Sequence, residues 1–181
     1  MVIPRADVSV DVGTVLSDVS ISPLGINADY WWDDQQNRSL GAKTLSQAFK
    51  DMGLKYARYP GGAKSDSYLW SVTPYDKSNP KLSFHSLSAF PSNSTTLWVP
   101  KADPDGNWVN PVVDFDEFVT ECQQAGVEPN IVVPYNSVYW NRVGAVKIFT
   151  LEEAIENARQ WVRYARNKGY DINYWSIGNE T

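Results

Sequence analysis

The order of helical and apolar segments constrains the fold of this chain more than any other feature of its sequence. Three segments combine apolar residues at helical spacing with helix-end residues, and they run from about Ser39 to Met52, from Asp114 to Gly126 and from Thr150 to Gly169. Short apolar runs lie before, between and after them, at 22–27, 54–60, 128–135 and 172–179. Such an alternation is typical of a parallel sheet whose strands are joined by crossover helices. The sequence therefore predicts an α/β fold with four parallel strands in chain order and the three helices on one side.

Local end signals support the two later helices. Glu117 follows Asp114 by three residues, and Glu153 follows Thr150 at the same spacing, which is the pattern of a capping box. A glycine closes each of the three helices, because glycine readily adopts the left-handed conformation that ends a helix: Gly53, Gly126 and Gly169. The third helix is expected to bury an apolar stripe made of Leu151, Ala154, Ile155, Ala158, Trp161, Val162 and Ala165.

Two regions do not follow this alternation. Residues 61–113 contain Pro, Ser, Asn and aromatic residues without a clear period, and loops of that length are usually functional or disordered. Their aromatic content favours order, and we expect these rings to form a small core of their own more often than the walls of a cleft. Near the start, Val8, Val10 and Val12 alternate strictly with polar residues. That pattern predicts a half-buried antiparallel strand, which needs another sheet to pair with.

Composition excludes several classes of function. The net charge is −5 and the basic residues are not clustered, which argues against nucleic acid and anionic membranes as partners. No apolar stretch approaches the roughly 20 residues of a membrane span. His85 is the only histidine and Cys122 the only cysteine, so a His-based metal cluster, a thiolate metal site and an internal disulfide are excluded. We expect no metal and no cofactor. The first ten residues lack the apolar core of a signal peptide, and the cellular location stays open.

Aromatic and polar residues gather at the ends of the predicted strands. Eight tryptophans and ten tyrosines are a high content for 181 residues, and many fall outside the helices and strands, as they do in sugar-binding clefts. In a parallel α/β barrel the functional residues lie where strands end and loops begin. The candidates at these ends are Asn27, Tyr30, Trp31, Trp32, Arg58, Asn136, Tyr139, Trp140, Asn179 and Glu180. Together they indicate a shared cleft for a carbohydrate substrate. At least one of the rings of Trp31, Trp32, Tyr139 and Trp140 is expected to stack on a sugar, and the alternative for each is packing between a loop and the barrel.

Three sequence segments resemble the clan A glycoside hydrolases. They are RYPGG at 58–62, DEFVTECQQAGVEPNIVVPY at 116–135 and YWSIGNE at 174–180, of which the last is the most specific. The nearest resemblance is to the α-L-arabinofuranosidases of family 51 and their relatives in families 39 and 79. It implies a retaining glycoside hydrolase with a (β/α)8 TIM barrel. It also implies that Glu180 is the general acid/base, that Asn179 holds the sugar 2-hydroxyl and that Arg58 lies beside the nucleophile's carboxylate.

The same resemblance implies that the chain holds only part of such an enzyme. A (β/α)8 barrel takes about 250 residues and the family draws its nucleophile from the seventh strand, whereas four strands are predicted here. We therefore expect residues 21–181 to be the N-terminal half of the catalytic barrel, with a long loop at 61–113. Residues 1–20 are expected to add a strand to an accessory β-sandwich. The open sheet edges predict association with another copy or with the missing C-terminal half, and the chain alone is expected to be inactive.

One face of the sheet in such a half barrel is covered by the helices and the other faces the barrel interior. Alternation along each strand sorts residues into two sets without saying which set faces inward. The candidates for the interior are Ile26, Tyr56 or Arg58, Val132, and Trp175 or Ile177.

Other functions stay open on the sequence alone. Ala63 stands where the arabinofuranosidases commonly have asparagine, and the first strand ends in 27–29 (Asn–Ala–Asp) rather than in their usual acidic residue. The sugar is therefore open, and the alternatives within the clan are agarase, xylosidase and glucuronidase activities on plant or algal polysaccharide. A second alternative is a carbohydrate-binding half barrel without turnover. A third is a small complete α/β domain with an accidental Asn–Glu ending, although the chain lacks a glycine-rich phosphate loop.

Overall fold

The structure is a computed structural model, and it describes residues 8–15, 24–30, 33, 38–82, 111–135 and 149–179. In chain order the elements are β1 (Gly25–Asn27), α1 (Leu45–Asp51), β2 (Tyr56–Tyr59), a 3-10 turn (Ala63–Ser67), β3 (Tyr68–Leu69), β4 (Lys81–Leu82), α2 (Phe115–Ala125), β5 (Glu128–Val133), α3 (Leu151–Asn167) and β6 (Tyr174–Ile177). None of the helices in the described ranges is long and apolar enough to cross a membrane.

The main sheet is parallel and has the strand order β1-β2-β5-β6. These strands are the four apolar runs of the sequence, so the predicted order is confirmed. Each neighbouring pair is separated along the chain by a helix, as parallel pairing requires. The chain therefore contains a four-stranded α/β unit, with its carboxyl strand ends along one edge.

The helix ends follow the local sequence signals in two cases out of three. The Asp114 side chain accepts a hydrogen bond from Glu117 N (2.9 Å), and Thr150 and Glu153 form the complete capping box. The first helix begins later than predicted, because Thr44, and not Ser39, caps it through a box with Gln47. The prediction from Ser39 was therefore wrong by about a turn and a half of helix.

The face of the sheet toward the helices forms the hydrophobic core. Ala57, Tyr59 and Ile131 on the middle strands are each fully buried. The Tyr59 ring stacks on Phe118 of α2, with ring centroids 4.6 Å apart, and its hydroxyl donates to the Val113 carbonyl (2.8 Å). Burying one such aromatic side chain stabilises the fold by about 1.5–3 kcal/mol. The two middle strands therefore carry most of the contact between sheet and helices.

The described part of the long segment joins this same core. Trp70 is fully buried, lies 6.0 Å from Trp161 of α3 in a stacked arrangement and meets Phe115 edge-on at 6.4 Å. Its indole nitrogen donates to the Asn157 carbonyl (3.0 Å). The expectation of a separate small core was therefore wrong for Trp70, which packs against the main one. The other tryptophans of the segment lie outside the described residues.

The register of the sheet shows which residues face away from the helices. Asn27, Arg58, Asn130 and Tyr174 are aligned across the four strands, so their side chains share one face. Ile26, Trp175 and Ile177 lie in the alternate rows, and the Trp175 ring meets Trp161 of α3 at 5.9 Å. Placing Trp175 or Ile177 in the interior was therefore wrong, whereas Arg58, Tyr56 and Val132 share the face opposite the helices. Ile26 stands in the row of Ala57 but also lines the cavity on that face.

Helix α3 buries a different stripe from the one predicted. Ala154, Trp161 and Ala165 are buried as expected, but Asn157 and Tyr164 join them. Ile155 is 58% exposed, and Leu151 and Val162 also lie partly in solvent. Asn157 and Tyr164 can be buried because they have hydrogen-bond partners in neighbouring segments, as described below. A stripe predicted from apolar residues alone therefore leaves these two positions out.

The segment 8–15 forms no strand. Val8, Val10 and Val12 are 85%, 76% and 93% exposed, and Asp11 accepts hydrogen bonds from Gly13 N and Thr14 Oγ1 in a local turn. The predicted half-buried strand is therefore wrong for these residues. Alternation stabilises a strand only where another edge pairs with it, and no described strand does so.

Candidate active site

Arg58 connects three strand ends at the carboxyl edge of the sheet. Its Nη1 donates to Asn27 Oδ1 (3.3 Å) at the end of β1 and to the Gly61 carbonyl (3.2 Å) after β2. Its Nη2 donates to Asn179 Oδ1 (3.1 Å), two residues beyond the end of β6. The structure thus brings together three residues that the sequence predicts as site residues but that lie up to 152 positions apart, from Asn27 to Asn179.

Strand alternation explains why Arg58 reaches this position. Its neighbours Ala57 and Tyr59 are fully buried under the helices, so Arg58 must project from the opposite face. On that face a cavity of about 270 Å³ is lined by Gly25, Ile26, Asn27, Tyr56, Arg58 and Asn130. The guanidinium therefore lies in a concave region between β1, β2 and β5.

The loop after β2 lies close to Asp29, which follows β1, and to Asn179, which follows β6. Gly61 has a φ of 110°, a conformation that side chains rarely adopt, so the backbone favours glycine there. A Cβ on Gly61 would lie 3.7 Å from Asp29 Cγ, and one on Gly62 would lie 3.7 Å from Asn179 Oδ1, which are ordinary contact distances. Backbone conformation therefore accounts for Gly61 of the RYPGG segment, whereas the space around Gly62 does not require a glycine.

An ion pair that the sequence analysis missed stands beside this loop. Lys64 Nζ lies 2.7 Å from Asp29 Oδ2, and about a quarter of each side chain is exposed. Asp29 N in turn donates to Asp33 Oδ2 (2.7 Å), and burial, with the nearby Asp29 charge, raises the pKa of the Asp33 carboxyl. The signal in the sequence was an acidic residue after β1 and a lysine directly after the glycine-containing turn. The carboxylate at the end of β1 is therefore paired with a cation from the loop after β2.

Polar side chains continue across the same face below the strand ends. Ser176 Oγ donates to Asn130 Oδ1 (3.0 Å), which links β6 to β5. The rings of Tyr56 and Tyr174 meet edge-on at 5.7 Å, and the proximity of Tyr56 raises the pKa of Tyr174. Alternation in the strands placed these residues with Arg58, but the sequence analysis did not identify Asn130, Ser176 or Tyr174 as part of the site.

Tyr30 does not join this group. Its side chain is 1% exposed, its ring lies 4.9 Å from the Tyr68 ring, and its carbonyl accepts from Val113 N (3.0 Å). This position makes it a core residue, and we leave it out of the proposed site.

The remaining predicted site residues lie outside the described residues: Trp31, Trp32, Asn136, Tyr139, Trp140 and Glu180. Two of them directly follow described residues whose positions are defined by contacts. Asn179, which is buried and bonded to Arg58, precedes Glu180. Tyr135, whose backbone N donates to Asp66 Oδ1 (3.3 Å), precedes Asn136.

A metal site has no support in the described ranges, where no group of three His, Cys, Asp or Glu side chains could hold an ion. Cys122 is a buried free thiol on α2, and burial raises its pKa well above the ordinary value. It therefore packs as a small apolar residue and takes no part in the strand-end group.

Known proteins resemble this chain over part of their length. No protein-family model matches the sequence. The chain is 25% identical over 157 residues to a probable α-L-arabinofuranosidase C of Aspergillus niger, and 26% identical over 156 residues to the protein of that name from Aspergillus clavatus. These alignments cover 77% and 76% of this chain and 24% of each relative. The chain thus spans about a quarter of the length of the curated relatives it matches.

Solved arabinofuranosidase structures are also similar, at low identity. The thermostable family 51 α-L-arabinofuranosidase of Thermotoga petrophila gives a TM-score of 0.48 at 16% identity and covers 86% of this chain and 31% of its own. The arabinose complex of the Thermotoga maritima enzyme gives 0.42 at 19% identity, over 75% of this chain and 25% of its own. The relationship that the strand-end motifs indicate is confirmed by the sequence comparison: this chain is related, over part of their length, to the α-L-arabinofuranosidases.

Proposed function

We propose that this chain supplies the acid/base half of the active site of a retaining glycoside hydrolase that acts on α-L-arabinofuranosides. The observation that carries the proposal is the bonding of Arg58 to both Asn27 and Asn179, one residue before Glu180. It joins the ends of β1, β2 and β6 at the edge where a parallel α/β barrel carries its chemistry. In this proposal residues 21–181 are the first half of the barrel. Residues 1–20 add to an accessory β-sandwich only when its other strands are present, since residues 8–15 form no strand by themselves.

Glu180 is assigned as the general acid/base. In the first step it protonates the glycosidic oxygen while a second carboxylate attacks the anomeric carbon, so the leaving alcohol departs neutral. In the second step the Glu180 carboxylate takes a proton from water, which attacks the same carbon and releases the sugar with retained configuration. Asn179 supports this role because its contact with Arg58 fixes the backbone immediately before Glu180.

Asn179 is assigned to the sugar 2-hydroxyl. Arginine can only donate hydrogen bonds, so the Asn179 atom that faces Arg58 is its oxygen, and its amide nitrogen is a donor. That donor suits the oxygen of the 2-hydroxyl, where hydrogen bonds strengthen in the transition state. Arg58 therefore positions Asn179 as well as contributing its own charge.

Arg58 is assigned the role of binding the second carboxylate, which is the nucleophile. Its three described hydrogen-bond partners are neutral oxygens, so the guanidinium charge has no described counter-ion. A closed barrel removes water from this face, and a buried cation then needs an opposite charge. We assign that charge to the nucleophile, a carboxylate supplied by strands that complete the barrel. Its contact with Arg58 favours the ionised form that attacks the sugar.

The substrate is a carbohydrate bound in the cleft above these residues. Asn27, which already accepts from Arg58, forms one wall, and Trp31, Trp32, Asn136, Tyr139 and Trp140 are proposed as further contacts from the loops after β1 and β5. Aromatic rings suit sugars because the apolar face of a ring covers the C–H face of the pyranose or furanose. The Asp29–Lys64 pair borders the same edge and is part of the cleft wall.

A carbohydrate-binding half barrel without turnover is the second candidate. The cavity of about 270 Å³ beside Arg58 favours it, since a concave face that carries the Asn27 and Asn130 amides and the Arg58 guanidinium can bind sugars without a second carboxylate. An assay separates the two. The isolated 181-residue chain should not cleave aryl α-L-arabinofuranosides, whereas the chain combined with the strands that complete the barrel should. Absence of cleavage by the completed barrel, with arabinose still bound, would favour the binding module.

A further inference from the structure

A second concave region lies beside the C-terminal half of α3, away from the strand-end site. It is a cavity of about 300 Å³ between this helix and the turn at 75–76. Gln160, Arg163, Tyr164 and Asn167 have the spacing of one helix face, so they form one wall together. Because α3 leads into the amino end of β6, this wall lies toward the opposite edge of the sheet from Asn179.

The lining of this cavity combines an aromatic ring with planar polar groups. Tyr75 supplies the ring, Gln160 and Asn167 supply amides, Asp76 a carboxylate and Arg163 a guanidinium. Each planar group can engage two neighbouring hydroxyls at once, because it presents two donors or acceptors side by side. Asp76 and Asn167 are both exposed where they line this cavity, so a ligand can reach their side chains.

The backbone at Tyr75 is in a conformation that large residues rarely adopt. Its φ is 61°, in the left-handed region, and its N donates to the Val72 carbonyl (2.9 Å) in a tight turn. The ring is only half-buried and lies 6.1 Å from the Trp70 ring. Such strained residues cost about 1–3 kcal/mol and persist where the surrounding structure holds them. The result is an aromatic surface fixed at the mouth of the cavity.

The floor of the cavity is also held in place. Tyr164 donates its hydroxyl proton to Asp116 Oδ2 (2.6 Å), and Lys168 Nζ lies 5.3 Å from the centre of the Tyr164 ring. The floor and the rim thus come from segments that are anchored to α2 and to the core. A preformed cavity loses little entropy when a ligand binds.

We propose that this cavity binds one or two sugar residues of a polysaccharide chain, as a contact site separate from the strand-end cleft. Its volume is at the lower end for small-molecule pockets and suits a unit of that size. The proposal goes beyond the hydrolase function, since it needs neither Glu180 nor a completed barrel. The site would hold the polymer on the outside of the sheet-and-helix unit.

Affinity electrophoresis of the 181-residue chain in gels containing arabinoxylan or arabinan tests the proposal. The chain should be retarded, and the double variant Arg163→Ala/Asn167→Ala should weaken binding about tenfold or more. Asp76→Ala, at an exposed position, should weaken it as well. Arg159→Ala is the matched control, because Arg159 is exposed on the same helix outside the cavity, and it should bind like the unaltered chain. Circular dichroism should show the same folded spectrum for all variants.

The outcome separates this proposal from the hydrolase function. The difference in retardation between the Arg163→Ala/Asn167→Ala double variant and Arg159→Ala should persist when each chain also carries Arg58→Ala, which removes binding by the strand-end site. The proposal is overturned if the unaltered chain is not retarded, or if the double variant and Arg159→Ala bind equally. None of these results alters the expected hydrolysis by a completed barrel.

Discussion

The two faces of the main sheet are built from alternate residues of the same strands and differ in what they do. On the helix side Ala57, Tyr59 and Ile131 are buried without exception. On the other side Asn27, Arg58 and Asn130 line a cavity and bond to strand ends and neighbouring strands. The comparison indicates that the helix face contributes most of the buried apolar packing, whereas the other face carries the polar groups that we propose bind a sugar and a complementary carboxylate.

The largest expected effect is on the helix face. Phe118→Ala should lower the free energy of unfolding by about 3–5 kcal/mol, because it removes a fully buried ring stacked on Tyr59 and leaves a cavity. Arg58→Met on the opposite face should change it by about 1 kcal/mol or less, since it removes hydrogen bonds from a partly exposed group. Urea unfolding of the two variants measures the contrast. Equal losses would contradict the division between the faces.

Helix α3 offers the next test, within a single element. Asn157 Nδ2 donates to the Ser71 carbonyl (2.7 Å) inside the core, so Asn157→Ala should cost about 1–3 kcal/mol by leaving that oxygen unpaired. Ile155 is 58% exposed, and Ile155→Ala should cost about 0.5 kcal/mol or less. Thermal unfolding of the two variants shows which substitution costs more stability. The apolar stripe in the sequence predicts the larger loss for Ile155→Ala.

The buried tyrosine pair on the helix face should make stability fall in alkali. Tyr59 and Tyr68 share a hydrogen bond of 2.6 Å, and burial raises the pKa of both hydroxyls above the ordinary value of 10.0. The unfolded tyrosines release protons above that pH while the folded ones keep them, so stability is full below pH 10 and is lost as the pH rises. Each contributes a slope of up to about 1.4 kcal/mol per pH unit.

Tyr59→Phe should reduce that alkaline slope, and the variant Tyr56→Phe on the polar face is the control for replacing a half-buried tyrosine. Denaturant unfolding between pH 9 and 11 measures the slopes. A slope that Tyr59→Phe leaves unchanged would show that water reaches the helix face.

A small stability effect is also expected at the cleft wall. Lys64→Met removes the ion pair with Asp29, and partly exposed pairs contribute about 1 kcal/mol or less. Its effect on arabinose binding by a completed barrel should be larger, because the Asp29 carboxylate would then border the cleft without the Lys64 cation. Calorimetric titration and urea unfolding of the same variant compare the two. A loss of stability without any change in arabinose binding would show that the Asp29–Lys64 pair stabilises the fold and takes no part in binding.

The sequence predicted what depends on local signals. The parallel strand order and the ends of α2 and α3 follow from apolar runs, Asp114, Thr150 and the closing glycines. The residues that gather around Arg58 were predicted because strand ends of a parallel sheet meet at one edge. Asn27, Arg58 and Asn179 therefore came together as expected.

Contacts between distant segments decided the rest. Tyr30 follows a strand like a cleft residue, but Tyr68 from the long segment covers its ring. Trp175 faces α3 because Trp161 packs against it. Strand alternation alone does not show which of the two sets of residues faces the barrel interior. Lys64 was missed because its role depends on the approach of Asp29 from another strand. Such pairings have no signature within a single segment.

The most direct test of the account concerns Glu180 in the completed barrel that we propose. Glu180→Ala should slow the cleavage of arabinofuranosides with poor leaving groups far more than that of activated aryl arabinofuranosides, because only the former need protonation. Azide should then restore turnover of the aryl substrates and give an arabinofuranosyl azide of retained configuration. Equal slowing of both substrate classes, with no effect of azide, would contradict the assignment of Glu180 as the acid/base beside Asn179 and Arg58.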